Sequence, residues 1–101
     1  MNGLYIIPFL TFTQDRYIEL TFIDRKAYEK YGDSFAENAW SVENFKKPLP
    51  GKLETSLIVK KNDKVVGFCI SSIKDGILYI HRFVIDPDLR GEAISDFLLV
   101  S

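Results

Sequence analysis

The chain has one cysteine, one histidine and one tryptophan among its 101 residues. Each scarcity excludes something. The lone Cys69 cannot close an internal disulfide, so a reducing, cytoplasmic compartment is expected. The lone His81 has no second imidazole to work with. No cysteine or carboxylate pair stands at metal-ligand spacing either, so no metal site is expected. No uninterrupted apolar run approaches the roughly eighteen residues that a membrane span requires. The opening MNGLYIIPFL has neither a basic lead nor a small-residue cleavage site, so it does not read as a signal peptide. A basic excess is missing too. Thirteen Lys and Arg against fourteen Asp and Glu leave a net charge of −1, which argues against non-specific nucleic-acid binding. Lys46-Lys47 and Lys60-Lys61 read as short, solvated surface pairs. No repeat, linker or low-complexity stretch is visible.

What is present is core material. Hydrophobic residues make up 47% of the chain and aromatics 14%, enough for one globular domain. A domain of this length buries only about 60–65% of its unfolded surface. An exposed apolar edge is therefore expected to be shared with a partner.

The order of elements follows from local pattern. Leu4 to Phe9 is apolar and β-branched, with Pro8 confining it to a strand end or edge. Thr11 and Gln14 have the spacing of a capping box. Apolar residues then recur at helical intervals from Tyr17 to Tyr31, and Gly32 supplies a stop, which predicts a helix over 14–31. Residues 34–38 read as irregular. Ser41 to Phe45 reads as a short helix capped by Ser41 with Asn44 at the third position. Trp40 is placed to staple that helix, or to line a groove. Pro48 and Pro50-Gly51 make 47–52 a loop.

The second half is a meander. Ser56–Lys60, Lys64–Ser72 and Ile77–Ile85 read as strands, joined by turns at Asn62-Asp63 and Lys74-Asp75-Gly76. Asp86-Pro87-Asp88 closes the last strand, and a helix is expected to start near Gly91. The order β-α-α-β-β-β-α predicts an α+β fold with a mostly antiparallel sheet.

The stretch KNDKVVGFCISSIKDGILYIHRFVIDPDLRGEAISDFLL resembles the central part of the GNAT superfamily of N-acetyltransferases. The strand KVVGF, the hairpin, the strand YIHRFVIDP and the Arg-x-x-Gly-x-Gly/Ala loop that follows carry the resemblance. The first helix and the short WSVENF helix sit where that family places its first two. The resemblance takes in residues 1–101 but only the earlier part of a family domain, so a single incomplete GNAT-like domain is expected. A fifth strand, a fourth helix and the last strands would follow in the family.

Fold and activity are implied by that resemblance. It implies transfer of acetyl from acetyl-CoA to a small-molecule or peptide amine. Backbone amides at a helix start hold the CoA pyrophosphate in such proteins. The matching loop is Arg90, Gly91, Glu92, Ala93, Ile94 and Ser95. Ala93 and Ser95 stand where small glycine-type residues are usual, and Glu92 places a negative charge nearby, so weakened CoA binding is expected. Phe83, Val84 and Ile85 match the strand whose backbone pairs with the pantetheine arm.

His81 is the candidate general base. Strand alternation groups it with Tyr79, Phe83 and Ile85 and sends Arg82 to the opposite face. Cys69 reads as a buried, inert thiol. Without a fifth strand, Ile77–Ile85 becomes a long apolar edge, and such edges pair with other chains. A homodimer through that edge is expected. The chain then reads as an impaired or inactive acetyltransferase or, alternatively, as a non-catalytic GNAT-like dimerisation or binding module.

Overall fold

The computed structural model describes residues 3–34 and 36–92. Strand β1, Leu4–Pro8, leads through two 3-10 turns into helix α1, Tyr17–Tyr31. Two short helices follow, α2 over Val42–Lys46 and α3 over Lys52–Thr55. Strands β2, Leu57–Lys61, β3, Lys64–Lys74, and β4, Ile77–Ile85, complete a four-stranded sheet. Its order is β1-β2-β3-β4, with antiparallel neighbours throughout. The α+β class and the antiparallel meander are as the sequence predicted. A 3-10 turn, Pro87–Glu92, follows β4. The helix expected near Gly91 lies largely outside the described residues.

The helices cover one face of the sheet. Tyr17, Leu20, Ile23 and Ala27 of α1 pack with Phe45 of α2 and with Ile58, Phe68, Ile70 and Val84 of the strands. Phe45 meets Trp40 and Phe68 edge-on at centroid separations of 5.1 Å each. Each such side chain, fully buried, contributes about 1.5–3 kcal/mol of hydrophobic stabilisation. The other face carries a smaller cluster of Val59, Val66 and Ile85.

Local signals set most boundaries. Asp75 and Gly76 both take positive φ, 54° and 76°, in the β3–β4 turn, which is the geometry a two-residue hairpin needs. Ser41 donates its backbone N–H to Asn44 Oδ1 at 2.9 Å, as expected at the start of α2.

Three expectations fail. The Thr11–Gln14 box does not form, because the chain turns there to bury Phe9 and Phe12. Thr11 Oγ1 instead donates to the Pro8 carbonyl at 2.8 Å. Helix α3 was hidden behind Pro50-Gly51. Gly51 turns the chain with φ 71°, and Thr55 Oγ1 donates back to the Gly51 carbonyl at 2.7 Å. Lys60 is not a solvated surface lysine. It is 5% exposed, and its ammonium lies 5.9 Å from the Tyr5 ring centre and reaches Asp63 at 3.2 Å. A long side chain covers apolar surface with its methylenes and keeps only the charged tip near water.

Candidate functional site

The site is built around a break in β4. Its register with β3 runs from Gly67↔Ile85 to Ile70↔Arg82, then resumes at Ser71↔Ile80. His81 is the extra residue, so His81 and Arg82 together oppose Ile70. Such a bulge interrupts strict alternation and re-aims side chains. The expected grouping is corrected accordingly. His81 and Arg82 both lie on the helix side, with Tyr79. Phe83 and Ile85 lie on the other side, where Ile85 joins Val59 and Val66. Alternation was the right rule on each side of the bulge and the wrong one across it.

His81 Nε2 stands 2.6 Å from Ser72 Oγ. The two residues help to line an open cleft of about 510 Å³ with Leu49, Lys74 and Tyr79. A smaller hollow of about 170 Å³ continues from His81 towards Trp40, Lys47 and Ile70. Trp40 packs on Phe45, as a staple does, and also lines the smaller hollow.

Arg82 is held on the helix side by Asp24. The two side chains meet through Nε to Oδ1 and Nη2 to Oδ2, each at 2.8 Å. Asp24 is fully buried, and its Oδ2 also accepts the Trp40 N–H at 2.6 Å. Arg82 Nη2 donates further to the Asn38 carbonyl at 2.8 Å, and its guanidinium lies 5.0 Å from the Trp40 ring. One carboxylate on α1 thus fixes both the bulge and the loop leading to α2. Sequence reasoning missed Asp24. Its only signal was an acidic residue among the core positions of a helix.

Lys52 was also missed. It is 3% exposed, and its ammonium donates to the carbonyls of Phe45 and Lys47 at the end of α2. Burial pushes its pKa below the ordinary lysine value. Cys69 is half-buried rather than sealed, and burial raises its thiol pKa.

The outer edge of β4 pairs with no strand among the described residues. Asp86 N–H donates to the Val66 carbonyl at 2.8 Å. Alternation along the ladder then turns the backbone groups of Val84 towards β3 and those of Phe83 and Ile85 outward. Of the three matching residues, two present backbone groups that pair with no strand among the described residues. Beyond them, Asp86 and Asp88 are tied to α1 by Lys26, at 2.8 and 2.7 Å. This fixes the turn that leads to Arg90, Gly91 and Glu92, whose backbone forms the end of the 3-10 turn. Ala93, Ile94 and Ser95 lie outside the described residues.

Among the described residues no cluster of three or more His, Cys, Asp or Glu side chains is arranged to hold a metal ion. No helix among them is long and apolar enough to cross a membrane.

The family model for the acetyltransferase (GNAT) family matches residues 15–99, and the chain belongs to that family. Solved structures share the fold. The ribosomal-protein-S18-alanine N-acetyltransferase of Escherichia coli superposes with a TM-score of 0.70 at 14% identity, covering 95% of this chain and 54% of that one. The PaiA N-acetyltransferase of Thermoplasma acidophilum, in complex with coenzyme A, gives 0.72 at 12% identity, covering 96% and 67%. The loading GNATL domain of CurA from Lyngbya majuscula gives 0.69 at 14%, covering 97% and 55%. The chain thus spans little more than half the length of two of these proteins. No curated protein sequence matches it.

Proposed function

We propose that the chain carries the acyl-CoA side of an N-acetyltransferase site. Acetyl-CoA as substrate lies along the free edge of β4, and an amine entering from the His81 cleft takes its acetyl group. The observation that carries this reading is the bulge. It leaves His81 beside a cleft, two residues from the outward backbone groups of Phe83 and four from those of Ile85. The anchored turn at Asp86 leads the chain on to Arg90, Gly91 and Glu92, and these three with Ala93, Ile94 and Ser95 are the residues assigned to the pyrophosphate. A cytoplasmic location goes with this reading, since it supplies acetyl-CoA and keeps Cys69 reduced.

The chemistry is direct transfer. The amine nitrogen attacks the thioester carbonyl, an N–C bond forms, and the C–S bond breaks to release the CoA thiolate. The proton lost by the amine passes to His81, and the thiolate takes one from solvent. For His81 to accept a proton at Nδ1, its Nε2–H must donate to Ser72 Oγ. The 2.6 Å contact is compatible with that tautomer.

Calorimetric titration of acetyl-CoA into the 101-residue chain tests the reading. Micromolar binding is expected, weakened about tenfold or more in Arg90→Ala by loss of a charge-assisted hydrogen bond. Absence of binding up to millimolar acetyl-CoA removes it.

One observation favours a second reading, a non-catalytic homodimerisation module. Ile77, Leu78 and Ile80 are 56%, 55% and 61% exposed on the free edge strand. Edges of this kind recruit another strand. On that reading, sedimentation finds a dimer at micromolar protein whose formation is lost in Ile80→Lys. A monomer throughout removes it.

A further inference from the structure

The cleft beside His81 has an electrostatic character that selects among amines. Its lining carries Lys74. The hollow that continues it carries Lys47 and the buried Lys52. Among the described residues no aspartate or glutamate lines either part. Lys52 is already held by two helix carbonyls, so its charge acts on the cleft without being free to bind. Lys47 and Lys74 are exposed, and neither is ion-paired among the described residues. A cationic lining of this kind raises the local concentration of anions and repels cations.

We infer that the acceptor is an amine that also carries an anionic group, a carboxylate or a phosphate. Its nitrogen meets His81 and its anion meets Lys74 or Lys47. The inference rests on the acetyl-transfer reading for the role of the cleft, but its charge preference stands on the lining alone. Diamines and polyamines are the wrong class, because they need carboxylates where this cleft has lysines. Tyr79 and Leu49 give the acceptor an apolar wall. Ser72 holds the imidazole in place from the sheet side.

The test is an NMR titration of the 101-residue chain at fixed ionic strength, read at His81 and Ser72. Four probes are compared: β-alanine, phosphoethanolamine, ethanolamine and 1,4-diaminobutane. The expected result is saturable shifts for β-alanine, phosphoethanolamine or both, at least tenfold tighter than for the two probes without an anion. The first two arms distinguish a carboxylate from a phosphate. Lys74→Glu and Lys47→Glu are expected to lower that preference, singly or together, while the folded spectrum is kept. Equal affinity for ethanolamine, tighter binding of the diamine, or no binding of any probe overturns the inference. A separate titration with acetyl-CoA, read at Phe83 and Ile85, reports on the transfer reading by itself.

Discussion

Arg82 and Asp24 face each other with their planes matched, two nitrogen–oxygen pairs at 2.8 Å joining β4 to α1. Both side chains are nearly or fully withdrawn from water, 9% and 0% exposed. A paired charge of this kind adds little by being present, but it becomes costly when one partner is removed. Asp24→Asn keeps the shape and leaves the guanidinium buried without its counter-charge. A loss of about 3–5 kcal/mol is expected. Urea unfolding checks it, and an unchanged midpoint would remove the clamp from the account.

Gly67 permits the close approach of β3 and β4 just before the site. A Cβ there would lie 2.8 Å from Ile85 Cδ1 and 2.9 Å from the Val84 carbonyl oxygen. The first neighbour can swing away, but the second is backbone. Gly67→Ala therefore has to displace β4, at about 1–3 kcal/mol for overpacking. Thermal unfolding reads the loss, and amide shifts confined to Val84–Asp86 would localise it. A variant as stable as the parent contradicts the close packing.

Ser72 and His81 form the polar centre of the cleft. Ser72→Ala removes one hydrogen bond, worth about 0.5–1.5 kcal/mol. It also frees Nε2, which nitrogen chemical shifts of the ring detect directly. If His81 is the base, His81→Gln lowers acetyl transfer by about 10²–10⁴-fold, and Ser72→Ala lowers it less. Transfer that survives His81→Gln intact assigns the proton to water.

Lys26 couples the turn after β4 to α1, and the coupling has a pH window. The hydrogen bond to Asp86, then that to Asp88, raises the Lys26 pKa above its ordinary 10.5. The hydrogen bond to Lys26 lowers the Asp88 pKa below its ordinary 3.8. A depressed carboxylate adds stability above its unfolded pKa and loses it as pH falls through the folded value. A raised lysine adds stability below its unfolded pKa and loses it as pH climbs through the folded value. The tie is thus complete between the two ends and fades beyond each. Denaturation midpoints across pH should show both limbs, and Lys26→Met should flatten them. Parallel profiles for the two proteins would refute the coupling.

The sequence by itself determined the strands, the hairpin at Asp75-Gly76, the long helix and the box at Ser41-Asn44. These depend on contacts a few residues apart, where periodicity and turn chemistry are written directly into the chain. It also ended β4 at Ile85, because Asp86-Pro87 marks the strand end.

Only the tertiary structure decided where the bulge falls. A bulge is a mismatch between two strands, and neither strand declares it alone. That one residue moved Phe83 away from His81 and brought Arg82 to its side. The same reason hid Asp24 and Lys52. A buried charge is tolerated when other groups satisfy it. The partners here, Arg82 fifty-eight positions from Asp24 and the carbonyls at the end of α2, meet those charges only once the sheet and helices have packed.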